Sequence, residues 1–87
     1  MTSEQIKIRV KAAYENVDSG EFLQMKVDEA VEKHKQNYRK YKAIHPDATF
    51  DSWKKLNKDI NINSNNNQEI MAMGIFFLAL DEFKPDD

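Results

Sequence analysis

Eighty-seven residues allow one domain, 1–87, and no more. Apolar residues and Tyr make up 40%, charged residues 32%, and the net charge is −2, which excludes both a histone-like basic protein and a polyanionic nucleic-acid mimic. The absence of Cys excludes disulfides, thiolate zinc sites and a cysteine nucleophile, and two Gly with two Pro argue against a turn-rich β fold.

The first periodic segment is 3–17. Ile6, Val10, Ala13, Tyr14 and Val17 recur at helical steps, and Thr2 with Gln5 has capping-box spacing. Ile6 to Lys11 also alternates with period two, as a strand would. Helix is the expectation, because no second clear strand is present to pair with it; residues 5–12 stay open between the two at this point.

Asp18-Ser19-Gly20 reads as a stop, and Asp18 with Glu21 as a new capping box. A long helix is predicted from about 20 to 44, with the stripe Leu23, Val27, Ala30, Val31, His34, Tyr38 and Tyr41. Its first half carries Glu21, Asp28, Glu29 and Glu32 against Lys26. Its second half carries Lys33, Lys35, Arg39, Lys40 and Lys42 with no acid. Acid before base suits the helix dipole, and Glu29 with Lys33 has i,i+4 spacing.

Pro46 ends that helix. Thr49 or Asp47 is expected to cap a short helix over 50–58, with Phe50, Trp53 and Leu56 (Asn57 beside it) as its apolar edge. The tract from Asp59 to Asn67 is Asn-rich and reads as a loop, with Ile60 and Ile62 pinning its start. A last helix is expected over 67–83. Ile70, Met73, Phe77 and Leu80 form one face with Phe76 and Phe83 near it, while Met71, Ile75 and Leu78 make the other side apolar too. Such a helix is either central or covered by a partner or a second copy.

The fold class expected is therefore all-α: a small bundle of three to four helices, two long and amphipathic, one short, one strongly apolar at the C-terminal end. No signal peptide is read. The apolar run from Ile70 to Leu80 is too short for a membrane span, so a cytoplasmic location is expected. Eight Asn, eleven Lys and seven Ile fit an AT-rich genome, as in many bacteria and phages.

Four features bear on function. Residues 33–42 carry +5 and residues 33–58 carry +6, leaving −8 on the rest. Lys35, Arg39, Lys40, Lys42, Lys54 and Lys55 are the candidates for phosphate contact or charge steering, with Tyr38 and Tyr41 able to stack on bases. The alternative is a solvated helix face with its tyrosines at the core edge.

The second feature is His45-Pro46-Asp47 after Tyr38-Arg39-Lys40. Here the sequence resembles the J-domain co-chaperone family over about ten residues. The resemblance implies an activating His-Pro-Asp loop for a heat-shock chaperone ATPase, with Arg39 and Lys40 on the docking face. The chain departs from the family pattern in three places. Tyr38 lies seven residues before His45 rather than eight, the following helix is short, and Val17-Asp18-Ser19-Gly20 replaces a Leu-Gly-Val turn.

Third, Asp59, Asn61, Asn63, Asn65 and Asn67 fall at positions 1, 3, 5, 7 and 9 of a calcium loop. Positions 6, 8 and 12 are Ser64, Asn66 and Ile70, where that loop needs Gly, an aliphatic residue and Glu. A polar interhelical loop is the better account, and no metal is expected. Fourth, Phe50, Trp53, Met71, Ile75 and Leu78 look like surplus apolar surface of the kind that centres interfaces.

No HExxH, P-loop, GxSxG or paired-carboxylate motif occurs, and His34 and His45 are the only histidines. No catalytic residue, cofactor or small-molecule substrate is therefore expected. The leading expectation is a non-catalytic protein-interaction module, a small accessory or regulatory protein of bacterial or phage type. It would dock to a protein partner or a second copy. Nucleic-acid binding through residues 33–58 is the alternative, and J-domain-like activity through His45-Pro46-Asp47 a lesser one.

Overall fold

The computed structural model describes residues 1–16, 21–59, 63 and 65–85. They form four helices: α1 (Ser3–Glu15), α2 (Glu21–Ile44), α3 (Phe50–Lys58) and α4 (Asn67–Glu82). No strand occurs among the described residues. The chain is an all-α helical bundle, with element bounds within two residues of those the sequence predicts. The expectations for Val17, the Asp18–Glu21 capping box, Ser19, Gly20, Ile60, Asn61, Ile62, Ser64 and the terminal Asp86-Asp87 fall outside the described residues.

The caps explain the starts. Thr2 Oγ1 accepts from the Gln5 amide at 3.3 Å, and Gln5 Oε1 accepts from the Thr2 amide at 2.9 Å. Thr49 and Ser52 make the same reciprocal pair at 3.1 and 3.2 Å. Thr49, not Asp47, therefore opens α3, with Ser52 taking the place that Glu or Gln usually fills. Asn66 Oδ1 accepts from the Gln68 amide at 2.9 Å and opens α4.

The choice between helix and strand at residues 5–12 is resolved by burial. A strand would put Ile6, Ile8 and Val10 on one face. Ile6 and Val10 are fully buried while Ile8 is 68% exposed. Only the 100° helical step separates Ile8 from its neighbours in this way.

α4 is the central helix, with α1 against one side, α2 against another and α3 at one end. That is why it is apolar nearly all round. Ile6, Val10, Ile70 and Phe77 form one cluster, and Tyr38, Trp53, Leu80 and Phe83 form the second. α1 runs antiparallel to α4: Lys7 faces Asp81 and Val10 faces Gly74.

The α1–α4 approach depends on Gly74. A Cβ at this buried glycine would overlap Val10 Cγ2 and lie 2.8 Å from Val10 Cβ. The Val10 side chain thus occupies the space a side chain at 74 would need. On α3, Phe50, Trp53 and Asn57 share the inner side. Asn57 Nδ2 donates to the Trp53 carbonyl at 2.8 Å. Leu56, expected on the apolar edge, is instead exposed, because it lies a further 60° round the helix from Trp53.

Gly74→Ala should lower stability by about 1–3 kcal/mol through overpacking, despite a gain in helix propensity of about 1 kcal/mol. Urea unfolding followed by circular dichroism would measure it. Gly74→Ala combined with Val10→Ala should be less destabilised than the two single changes summed, because the second removes the clash created by the first.

Candidate functional site

The side of α2 facing residues 82–85 forms a groove of ≈ 560 Å³. Its apolar lining is half-buried Val31 and Pro85 together with Tyr38 and Phe83, which are buried in the core cluster. Lys35, Arg39, Lys42 and Lys84 line it together with Glu32 and Glu82. Three of the six candidate basic residues, Lys35, Arg39 and Lys42, thus meet here. Lys35 and Arg39 take part in no ion pair among the described residues.

Lys42 is partly committed to structure. Its Nζ donates to the carbonyls of Ala48 at 2.7 Å and Pro46 at 3.3 Å, tying the end of α2 to the turn before α3. In that exposed turn the Ala48 amide donates to the His45 carbonyl at 3.0 Å, and the His45 ring lies 4.8 Å from Tyr41. His45-Pro46-Asp47 therefore forms the joint between α2 and α3, and the helix after it has only nine residues.

Lys54 lies elsewhere. It is 3.9 Å from Asp81, and Lys58 is 3.8 Å from Glu4. Lys7, buried along α1, bridges Glu4 at 2.8 Å and Asp81. Burial works to depress the Lys7 ammonium, but its hydrogen bonds to Asp81 and Glu4, helped by their charges, hold it above the ordinary lysine value. The same Lys7 bond and charge lower Glu4. This network joins α1, α3 and α4 across the outside of the bundle. Lys40 and Lys55 are exposed, with no ion pair among the described residues. The excess of residues 33–58 is thus divided among the groove, the turn and this network.

The apolar candidates also separate. Trp53 does not offer a docking surface: it is only 4% exposed. Tyr38 lies 5.2 Å from it, Phe83 5.8 Å and His34 5.9 Å by ring centroid. Its expected contact with a partner is corrected to a core role, because its ring packs against α2 and the end of α4. Phe50 is half-buried in the same cluster. Met71, Ile75 and Leu78 are half-buried and pack against the α1–α4 cluster. Among the described residues the large apolar side chains that are exposed are Ile8, Phe22, Met25, Ile44 and Leu56. On α2 the signal was present in the sequence: Phe22, Met25 and Ile44 lie off the stripe that faces the core. The contribution of Phe83 to Pro85 to the groove had no such signal, since those residues follow the last helix.

His34 is buried, and its Nε2 donates to the Phe76 carbonyl at 2.9 Å, which assigns the proton to that nitrogen. The Phe76 ring stands edge-on to it at 4.5 Å. Burial lowers its pKa below the ordinary histidine value, and the Phe76 bond partly opposes that. A smaller hollow of ≈ 360 Å³ adjoins it, lined by residues including Lys26, Lys33, Ala72 and Ile75.

The Asn tract is put to other use where it is described. Ile70, at position 12 of the calcium pattern, lies in the core. Asn67, at position 9, is the first residue of α4, and its Oδ1 accepts from Arg9 at 3.1 Å. Among the described residues no three His, Asp or Glu side chains gather as metal ligands. No described helix is long and apolar enough to cross a membrane. Comparison with family models, curated proteins and solved structures found no match.

The depressed His34 pKa gives a signed prediction. Between the unfolded value of 6.5 and the lower folded value, the unfolded chain binds more protons than the folded one. Stability should fall as pH drops from 7 towards 5. His34→Gln, which keeps a donor for Phe76 and removes the titration, should flatten that slope in Tm measured across the range.

Proposed function

We propose that this chain is a non-catalytic protein-interaction module that docks a partner along the groove between α2 and Phe83–Pro85. The observation that carries this reading is the groove itself, where half-buried Val31 and Pro85 lie beside Lys35 and Arg39, neither of which is ion-paired among the described residues. Aromatic and aliphatic floors supply contact area, while rim charges steer approach and select the partner. His34 is bonded within the core and His45 lies in the turn between α2 and α3, away from the groove lining. The composition suits a small cytoplasmic regulatory protein of bacterial or phage type.

Nucleic-acid binding has less support. Lys54 and Lys58 face carboxylates, Lys42 binds carbonyls, and Tyr38 is buried, which counts against a basic strip over 33–58 with Tyr38 stacking on bases.

The test is capture by the tagged protein and by an Arg39→Trp variant, which fills the groove from an exposed position. Lysates are split into nuclease-treated and untreated halves. A protein partner that survives nuclease, untagged copies of the chain included, and is lost with Arg39→Trp at unchanged Tm is the expected result. Equal capture by the variant overturns the groove. Capture of nucleic acid, with proteins lost after nuclease, moves the function to the basic residues of α2.

A further inference from the structure

We infer that the partner the groove takes is a second copy of this chain, with the two α2 helices packed antiparallel along it. This rests on the reading of the groove as a docking surface. Three observations point to self-pairing.

The first is the order of charges. Steps of seven put Glu21, Asp28, Lys35 and Lys42 on one line along α2, and Lys35 and Lys42 line the groove. The line reads acid, acid, base, base. An antiparallel copy related by a two-fold axis between residues 31 and 32 sets Asp28 opposite Lys35 of the second copy, and Glu21 opposite its Lys42. Each pairing occurs twice by symmetry. The half-buried Val31 of both copies then lies next to the axis.

The second is that the helix dipole does not account for this order. Its influence fades within the first and last turns. Only Glu21 and Lys42 lie there. Asp28, Glu32, Lys35 and Arg39 lie in the interior of the helix.

The third is that like charges sit side by side on α2, beside the favourable spacings Glu29–Lys33 and Glu32–Lys35, and that Asp28 is held by the neutral Gln24, which donates to it at 2.9 Å. Asp28 and Glu32 are like charges at i,i+4, and so are Lys35 and Arg39, an unfavourable spacing in an isolated helix. No charge on α2 is ion-paired among the described residues. An antiparallel copy supplies the missing counter-charge to both halves at once.

Exposed ion pairs contribute little each, so the dimer is weak and sensitive to salt. Sedimentation velocity of the full chain over a concentration series, at low and high salt, tests it. The expected result is reversible dimerisation that weakens about tenfold or more at high salt. Lys35→Glu alone and Asp28→Lys alone should each give monomers of unchanged helicity. Mixing the two variants should restore a dimer, because each then meets an opposite charge at both contacts. A chain that stays monomeric at low salt, or a dimer indifferent to either reversal, overturns the inference. Should the chain stay monomeric while Arg39→Trp still abolishes capture of a different protein, self-pairing fails and the groove reading stands. Should Arg39→Trp affect neither capture nor dimerisation, the groove reading fails as well.

Discussion

The bundle depends on one close contact, Val10 of α1 seated over Gly74 of α4. A helix that is apolar on most sides must be surrounded, and in a short chain the surrounding helices must come close. The glycine lets the α1 side chain reach the α4 backbone. Ala79, also fully buried, is a second small residue on the same helix. With α1 drawn in, Ile6, Ile70 and Phe77 close into a single cluster. Glycine lowers helix stability at such a position, and packing must more than offset that.

The charged residues divide by task, and the division explains why a net +6 over residues 33–58 does not produce one basic face. Lys54 and Lys58 lie on the same helix as Trp53, and Trp53 must point inward, so those lysines are carried towards α1 and the end of α4. Lys42 reaches over the turn that holds Pro46, and donates to the Pro46 and Ala48 carbonyls of that turn. What is left on α2 is Lys33, Lys35, Arg39 and Lys40, set by the same helical phase that puts His34 and Tyr38 inside.

Much of this was legible in the sequence, for identifiable reasons. The α2 stripe gave its inner face, since helical periodicity and burial coincide in an amphipathic helix. Thr2–Gln5 announced one helix start by local chemistry alone, and Thr49 or Asp47 a second, which Thr49 makes. The two-sided character of α4 announced that something covers it, but not what, because periodicity carries no information about neighbours. Trp53 was misread for that reason: an aromatic on a short polar helix looks like surplus until two other helices are seen to enclose it. Gly74 was legible only as a member of an apolar run. Its role depends on the side chain 64 positions earlier in the chain.

The antiparallel pairing of α1 with α4 has a consequence during synthesis. Lys7 and Asp81 are 74 positions apart. At about 5–20 residues per second, the ribosome needs roughly 4–15 s to supply the second after the first. Throughout that interval Ile6 and Val10 have no native partner on α4. The nascent chain therefore carries an uncovered apolar ridge on α1 until α4 emerges, which is the period in which a chaperone or a neighbouring nascent chain can reach it.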